Sequence, residues 1–555
     1  MARIAWILLI LVTLYLCYFQ SLGAVGLVGP DEPRYAWIAR DMAESGDWVT
    51  PRLYGQPWFE KPALYYWGAA LSFKLFGVNE AAARFPSALA ALLATLATAW
   101  LSWRVYGAET ARWLLLLLPT TVGMIGFSHA AATDMPFVGM LSIAMVCVAV
   151  VLGMVRDNDS PILPRTPWLA LMFFGFFLGL AVLAKGPAAI ILSAGAVLLW
   201  ATFTKRWRDA LRCLHPVAIA SFCLTALPWY ILCSRRNPDF FRIFIIEHNF
   251  NRYLTPEFQH IQPFWYYIPI VLIALFPWFL FLVPAMQRAI ASGRRNDSDG
   301  AVSLFFLVWA AFPLVFFSIS KSKLPGYILP ALPPLAVLLA TAVAKTSVKG
   351  TLSARWPLWA SGFAMVLFGI LLEQQSGKFP VLFCTSPTCG ITRIWLIAVG
   401  GGMVMALVAL LGRDRLSLLA LVSTTLFLVI EIDRFLPELN PGISSSDAAQ
   451  VVRHVWPDFS PDRAATWQLN RSYVYELNFY FRRDLPEWRS QNLNADWVFV
   501  AKNKVTEARA SGLDCVGFAI YPAVVPCRNP ASLGRLSGLG GLHGSSGNST
   551  DRQPR

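Results

Sequence analysis

The sequence predicts an α-helical polytopic membrane protein with a small α/β domain near its C-terminus. Three observations lead there. Hydrophobic residues make up 56% of the 555 and charged residues only 14%, with a mean hydropathy of +0.53, a balance foreign to soluble domains. Apolar runs of bilayer-crossing length recur as far as about residue 433. Beyond residue 434 the pattern changes to short helix-like and strand-like segments.

The runs lie near 5–25, 82–103, 111–128, 135–153, 167–184, 187–204, 213–232, 264–284, 301–319, 326–345, 356–373, 394–411 and 416–433, about thirteen in all. The first follows Arg3 and resembles a signal peptide. Its apolar stretch is longer than usual and Ser21-Leu22-Gly23-Ala24 is a poor cleavage site, so it reads as a retained span.

Between the first two runs, residues 31–61 hold six acids and four bases in an otherwise nearly charge-free neighbourhood. Asp31 as N-cap, Pro33 in the first turn and Gly46 after the last periodic residue mark a helix. Tyr35, Ile38, Ala39 and Met42 give it one apolar face. At about 13 residues it is too short to span and suits the membrane surface. A loop ending in Phe59-Glu60-Lys61-Pro62 follows, then a second amphipathic segment with Leu64, Trp67, Leu71 and Leu75 on one face, so residues 31–77 hold two juxtamembrane helices.

Lys and Arg alternate between loops. Arg104 and Arg112, Arg156 and Arg165, Lys205 to Arg212, Arg288 to Arg295, Lys345 to Arg355, and Arg413 and Arg415 all fall on one side together with Arg3, which makes that side cytoplasmic. The N-terminus is then cytoplasmic and the C-terminal domain exterior. The same distribution accounts for the net charge of +14 without nucleic acid. No internal repeat supports an inverted-repeat transporter.

The chain is therefore expected to divide into a membrane domain over 1–435, an exterior α/β domain over 436–530 and a Gly/Ser/Asn-rich disordered tail over 531–555. In the α/β domain, 444–456 reads as a helix with Val451, Val452 and Val455 inward; 472–481 and 496–500 read as strands. Cys384 with Cys389, and Cys515 with Cys527, fall in exterior segments where either a disulfide or free thiols are compatible with the sequence.

The topology gathers polar residues on the exterior face: Asp31, Glu32, Arg34, Glu60 and Lys61 from the first loop; His129 and Asp134; Lys185; Arg235, Arg236, Glu247, His248, Arg252 and His260; then Lys321, Lys323 and Tyr327. Acids, bases and a histidine converging from distant positions are what an active site at a membrane boundary requires. Each also has a plain structural use: helix caps for Asp31 and Asp134, snorkelling for Lys185, a hydrogen-bonded structural role for His248.

The ordered motifs DEPRYAWIARDMAESGDW, FEKP, ATDMP, AKGP, LPWY, EHNFNRY, PFWYY and KLPGYILP, over about residues 1–345, resemble the aminoarabinose (4-amino-4-deoxy-L-arabinose) lipid A transferase family. These are glycosyltransferases of the GT-C class, related to the protein O-mannosyltransferases. The resemblance implies an undecaprenyl or other polyprenyl phosphate sugar donor, lipid A or a similar envelope acceptor, and the periplasmic face of a bacterial inner membrane. It assigns Lys61 and Arg252 to the donor phosphate, Tyr327 to the lipid-phosphate pocket, and Asp31 and Asp134, with Glu32 beside them, to the transferred sugar; Arg34 and Lys185 join the donor-binding set. It also matches Glu60 and His248 to a pair able to hold a divalent metal (Zn, Mg or Mn). Arg235, Arg236 and Arg242 are alternatives to Arg252, and Gly326 before Tyr327 departs from the family pattern. The rival readings are a protein or polysaccharide glycosyltransferase using another polyprenyl-linked sugar such as mannose, and a lipid flippase or transporter.

Overall fold

The computed structural model describes all residues except 1, 156–166, 252–260, 296, 349–354, 377–390, 490–494, 516–522 and 531–555. Arg156, Arg165, Arg252, His260, Lys349, the Cys384/Cys389 pair and the expected tail lie outside the described residues. The chain forms two compact units, one of Met1–Ala24 with Tyr35–Leu436, the other of Val25–Arg34 with Pro437–Arg555.

The first unit is helical. Among the described residues, eight helices are long and apolar enough to cross a membrane, two further candidates are bent pairs, and three apolar helices are shorter. The runs expected near 111–128 and 264–284 are not straight. α5 (Ala108–Leu117) and α6 (Val122–Ser128) meet at 60°, and Phe264–Ala274 and Phe279–Gly293 meet at 116°. Pro119 and Pro277 stand at the two breaks and deprive each helix of a backbone donor. The breaks repair each other: Val122 N donates to Phe276 O at 3.1 Å and Trp278 Nε1 to Thr120 Oγ1 at 2.9 Å. Non-helical backbone at this depth is tolerated where protein satisfies it.

Small residues bring helices together. On α8 (Trp168–Lys185), a Cβ at Gly175 would lie 2.1 Å from Ala218 O, and one at Gly179 2.8 Å from Thr225 Cβ. Both partners belong to α11 (Pro216–Arg236). Lipid offers no hydrophobic drive for helix association, so backbone proximity and dispersion supply it.

The helix Asp31–Ser45 (α2) forms over the expected residues, and Tyr35, Ile38, Ala39 and Met42 are all buried. In α3 (Leu64–Phe76) the face expected to carry Leu64, Trp67, Leu71 and Leu75 is half-buried at its start and exposed further on. Tyr65, Tyr66, Ala69, Ala70 and Phe73 are buried, while Leu71 and Leu75 are exposed. Beside a bilayer the leucine stripe faces lipid, and the small and aromatic residues pack inward.

The second unit carries a four-stranded mixed sheet in the order β3-β4-β6-β5. Here β3 is Ala464–Trp467, β4 Trp497–Ala501, β5 Asp514–Cys515 and β6 Val524–Arg528. Residues 472–481 are not a strand. They belong to a helix, Arg471–Phe481, whose N-cap Asn470 accepts from Ser472 N. Leu477 and Phe481, one turn apart, bury its inner face with Val452 and Phe499. The Tyr/Phe/Val content that suggested a strand yields to this 3.6-residue period. The helix also lies in the crossover that parallel β3 and β4 need. In the helix Ser446–Val455, Val452 is buried but Val455 is exposed, because it lies beyond the core-facing stripe. Cys515 and Cys527 form a disulfide between paired strands.

Glu476 is fully buried in this unit. Its Oε2 accepts from Ser445 N at 2.6 Å, Ser445 Oγ at 3.0 Å and Ser444 Oγ at 3.2 Å. Those bonds favour the carboxylate, yet desolvation outweighs them and, with the charge of Glu32, pushes the carboxyl from 4.5 to about 8. A folded value above the unfolded one stabilises fully below about pH 4.5, and that contribution is lost as pH rises through about 8. The melting temperature of the full-length protein should therefore fall between these limits, and Glu476→Gln should flatten the slope. Equal slopes in thermal melts across this range would remove Glu476 as its source.

Candidate functional site

Two helix ends meet at the centre of the first unit's polar end. Asp134 opens α7 (Asp134–Val151) and Lys185 closes α8. Each sits at the terminus whose dipole favours its charge, an acid at an N-terminus and a cation at a C-terminus. They form a direct hydrogen-bonded ion pair with little solvent exposure, 12% for Lys185 and 22% for Asp134. The Lys185 ammonium also lies over two rings, Tyr327 at 4.9 Å and Phe137 at 5.5 Å. Tyr327 leans on Phe317 at 4.8 Å between centroids.

Gly326 explains itself here. A Cβ at that position would stand 2.9 Å from Asp134 Oδ1 and 2.9 Å from the Phe127 ring. Only a residue without a side chain lets the Pro325–Ala331 turn lie against the aspartate. Gly326, Phe137 and Phe317 were not among the expected site residues. The KLPGYILP motif signalled the first; Phe137, one turn after Asp134, and Phe317 belong to apolar runs that carry no such mark.

Glu60 and Lys61 form a second acid–cation pair. They follow a two-stranded hairpin, β1 (Arg52–Leu53) and β2 (Gln56–Pro57), with their charged groups 3.6 Å apart and 11% and 16% exposed. An aromatic cluster holds them. Phe59 and Ala63 pack with Leu183, Trp229, Phe240 and Phe244. Trp229 Nε1 donates to Val49 O at 2.9 Å. Leu183 is two residues before Lys185, and Phe244 is four before His248 in the π-helical segment Arg242–Asn251. The cluster thus brings together the segments bearing Glu60, Lys61, Lys185 and His248.

Other candidates are structurally engaged. His129 bonds Gln20 O and Ile125 O through its two ring nitrogens. Arg236 pairs with Asp47 at 3.0 Å, and Arg242 pairs with Glu247 and Asp239. Lys323 Nζ donates to Ser320 O at 2.6 Å and Gln262 O at 3.0 Å. Among the described residues no three His, Cys, Asp or Glu side chains gather to hold a metal. Glu60 and His248, with the Lys61 ammonium beside the former, do not fit a three- or four-ligand site.

Asp31, Glu32 and Arg34 belong to the second unit. Arg34 bonds Asp31 and Pro30 O and lies over the Tyr475 ring. Glu32 Oε2 accepts from Val28 N at 2.8 Å. Gly26 N and Leu27 N reach Asn440 Oδ1 and Tyr480 OH at 2.7 and 2.9 Å, so this short segment is stitched into the C-terminal unit.

A bundle of apolar helices of membrane-crossing length makes this a polytopic membrane protein, and its fold is that of the GT-C class. A crystal structure of ArnT from Cupriavidus metallidurans bound to undecaprenyl phosphate has that fold, with a TM-score of 0.75 and 23% identity over 95% of this chain and 99% of that one. Residues 4–244 match the dolichyl-phosphate-mannose-protein mannosyltransferase family model. An undecaprenyl phosphate-α-4-amino-4-deoxy-L-arabinose arabinosyl transferase from Serratia proteamaculans is 32% identical over 413 residues, 73% of this chain and 72% of the relative. The chain belongs to that arabinosyl transferase family. With the relative of the same name from Edwardsiella ictaluri, identity is 35% and the aligned part spans 61% of this chain but only 60% of the relative.

The Gly326 contact generates a stability test. Gly326→Ala should destabilise the protein by about 1–3 kcal/mol through overpacking. Gly126→Ala is the control, since nothing lies within 4 Å of a Cβ there, and alanine should gain up to about 1 kcal/mol in its helix. Equal melting temperatures for the two variants would show that the turn yields freely around Asp134.

Proposed function

We propose that this protein is an inner-membrane glycosyltransferase. It moves 4-amino-4-deoxy-L-arabinose from undecaprenyl phosphate to lipid A or a similar envelope acceptor on the periplasmic face, with its N-terminus cytoplasmic and its C-terminal domain periplasmic. The observation that carries this reading is a pair of little-exposed acid–cation pairs, Asp134 with Lys185 and Glu60 with Lys61, the second on a loop whose Phe59 packs with Leu183 of the helix that Lys185 closes. The names of its relatives supply the sugar and its carrier.

The chemistry follows from charge. The bond between the sugar C1 and the donor phosphate oxygen breaks, and its electron pair leaves with the phosphate. Fixed cations oppose that developing charge, a role for Lys61, Lys185 and Arg252. Tyr327, whose ring covers Lys185, lines the phosphate pocket. If lipid A offers a phosphate oxygen, that oxygen is already ionised and attacks C1 without a general base. Asp31 and Asp134 then orient the sugar and stabilise positive charge at C1, with Glu32 supporting Asp31. A cavity of about 780 Å³ walled by Phe264, Trp265, Leu314 and Ile319, with Lys321 and Lys323 at its edge, is suited to an isoprenoid tail bearing a phosphate.

The match to the mannosyltransferase model favours one alternative, transfer of another polyprenyl-linked sugar to protein or polysaccharide. Mass spectrometry of envelope lipids and proteins from cells with and without the chain separates the two. The expected result is loss of aminoarabinose from lipid A; a change in glycoproteins alone would transfer the assignment to the alternative.

Two variant sets test the residues in the purified, folded protein. Lys61→Ala should cost about 1.5–3 kcal/mol, one to two decades in rate or affinity, by removing a charge-assisted phosphate contact. Asp31→Asn and Asp134→Asn preserve shape and capping ability but remove charge, so each should lower turnover by orders of magnitude, with the double variant little worse. Near-normal turnover in both single variants would return the aspartates to helix capping.

A further inference from the structure

A second cavity lies at the arginine-rich end of the first unit, away from the Asp134–Lys185 pair. It has a volume of about 390 Å³ and is almost wholly apolar. Phe174 and Leu178 of α8, Ile190 and Val197 of α9 (Ala188–Thr204), and Phe222 of α11 form its walls. Trp207, Leu211 and Leu214, in and just after α10 (Trp207–Leu211), close its end. The close backbone approach at Gly175 seals the side between α8 and α11. Along α9 the lining runs from Ile190 to Leu198, about 12 Å at helical rise, most of one leaflet of a roughly 30 Å hydrocarbon core.

The mouth is basic. Lys205, Arg206, Arg208 and Arg212 flank a single acid, Asp209. Asp209 is shared by Arg206 at 2.6 Å and Arg212 at 3.2 Å. Arg206 is further committed, donating to Leu152 O and covering the Trp200 ring. Lys205 and Arg208 are exposed, with no acidic partner among the described residues. Trp207 at 45%, Leu211 at 60% and Leu214 at 64% exposure make this stretch amphipathic, with an aromatic ring where interfacial residues sit.

We propose that this cavity takes one acyl chain of an anionic phospholipid, whose headgroup phosphate is held by Lys205, Arg208 and Arg212. The occupant follows from complementarity. A dry groove on the lipid-facing side of three helices admits a hydrocarbon chain from the bilayer, and an excess of cations at its mouth selects a negative headgroup over a zwitterionic one. The site is independent of the transferase reading, since none of its residues belongs to the set assigned to sugar transfer.

The test uses the full-length protein in nanodiscs of phosphatidylcholine alone or mixed with phosphatidylglycerol, read by melting temperature and by native mass spectrometry of lipids retained on release. The wild type should retain phosphatidylglycerol over phosphatidylcholine by on the order of ten-fold and melt several degrees higher in the mixed discs. Ala194→Trp, which fills the cavity from its lipid-exposed wall, should lose both the retained lipid and the shift. Lys205→Gln with Arg208→Gln, both exposed and safe for folding, should keep a bound lipid but lose the preference for phosphatidylglycerol. Absence of that preference in the wild type, its survival in the double glutamine variant, or retention of polyprenyl phosphate in place of phospholipid would each overturn the proposal.

Discussion

The polar end of the membrane unit depends on one ion pair. Asp134 and Lys185 close the gap between the start of α7 and the end of α8. A charge in this setting is costly to desolvate, and an unpaired one costs more than the pair returns. Their helix termini, the aromatic faces of Tyr327 and Phe137 and the missing side chain at Gly326 together reduce that cost. These features come from three segments, α7 with Asp134 and Phe137, α8 with Lys185, and the Pro325–Ala331 turn with Gly326 and Tyr327, so the pair also fixes how they register at this end.

The membrane places a second constraint on the same unit. Every backbone break within the apolar layer must find a partner inside the protein. The kinks near Pro119 and Pro277 meet this by exchanging hydrogen bonds with one another. Such bent segments let short helices such as α6 end inside the polar end of the bundle, near Ser128 and His129, instead of passing straight through. The architecture thus gains room for side chains at depth without exposing polar backbone to lipid.

Much of this was legible in the sequence because the strongest signals are long-range in composition and short-range in period. The run of apolar helices, the helix beginning at Asp31, a strand expected at 496–500 and found at Trp497–Ala501, and the presence of Asp134, Lys185, Glu60 and Lys61 at helix ends or loops followed from hydropathy, caps and charge placement. What escaped were features decided by partners. The bends require two prolines to find each other. Residues 471–481 are helical because Leu477 and Phe481 have a sheet to bury against, although their composition favours strand. Periodicity groups Leu64, Trp67, Leu71 and Leu75 on one face of α3 but does not say what that face meets; Leu71 and Leu75 turn outward, as lipid surroundings permit. Phe137 and Phe317 are indistinguishable from other apolar residues until Lys185 is seen above or near them.

Charge balance links the fold to the proposed chemistry. Lys61 is held beside Glu60, and Lys185 beside Asp134. In the proposed site each cation is therefore already partnered by an acid. A bare pair of ammonium groups there would raise the cost of the unliganded state and bind a phosphate so firmly that the spent carrier would leave slowly. With an acid at each cation, an incoming phosphate shares a donor with a resident carboxylate and gains only the difference. That difference grows when the leaving oxygen takes up the electron pair from the sugar bond, because the added charge falls on the phosphate and not on the carboxylate. In the proposed reaction such an arrangement would favour the transition state over the bound donor, which is the condition for catalysis, and one of the two pairs, Asp134 with Lys185, is also the one that two helix ends share.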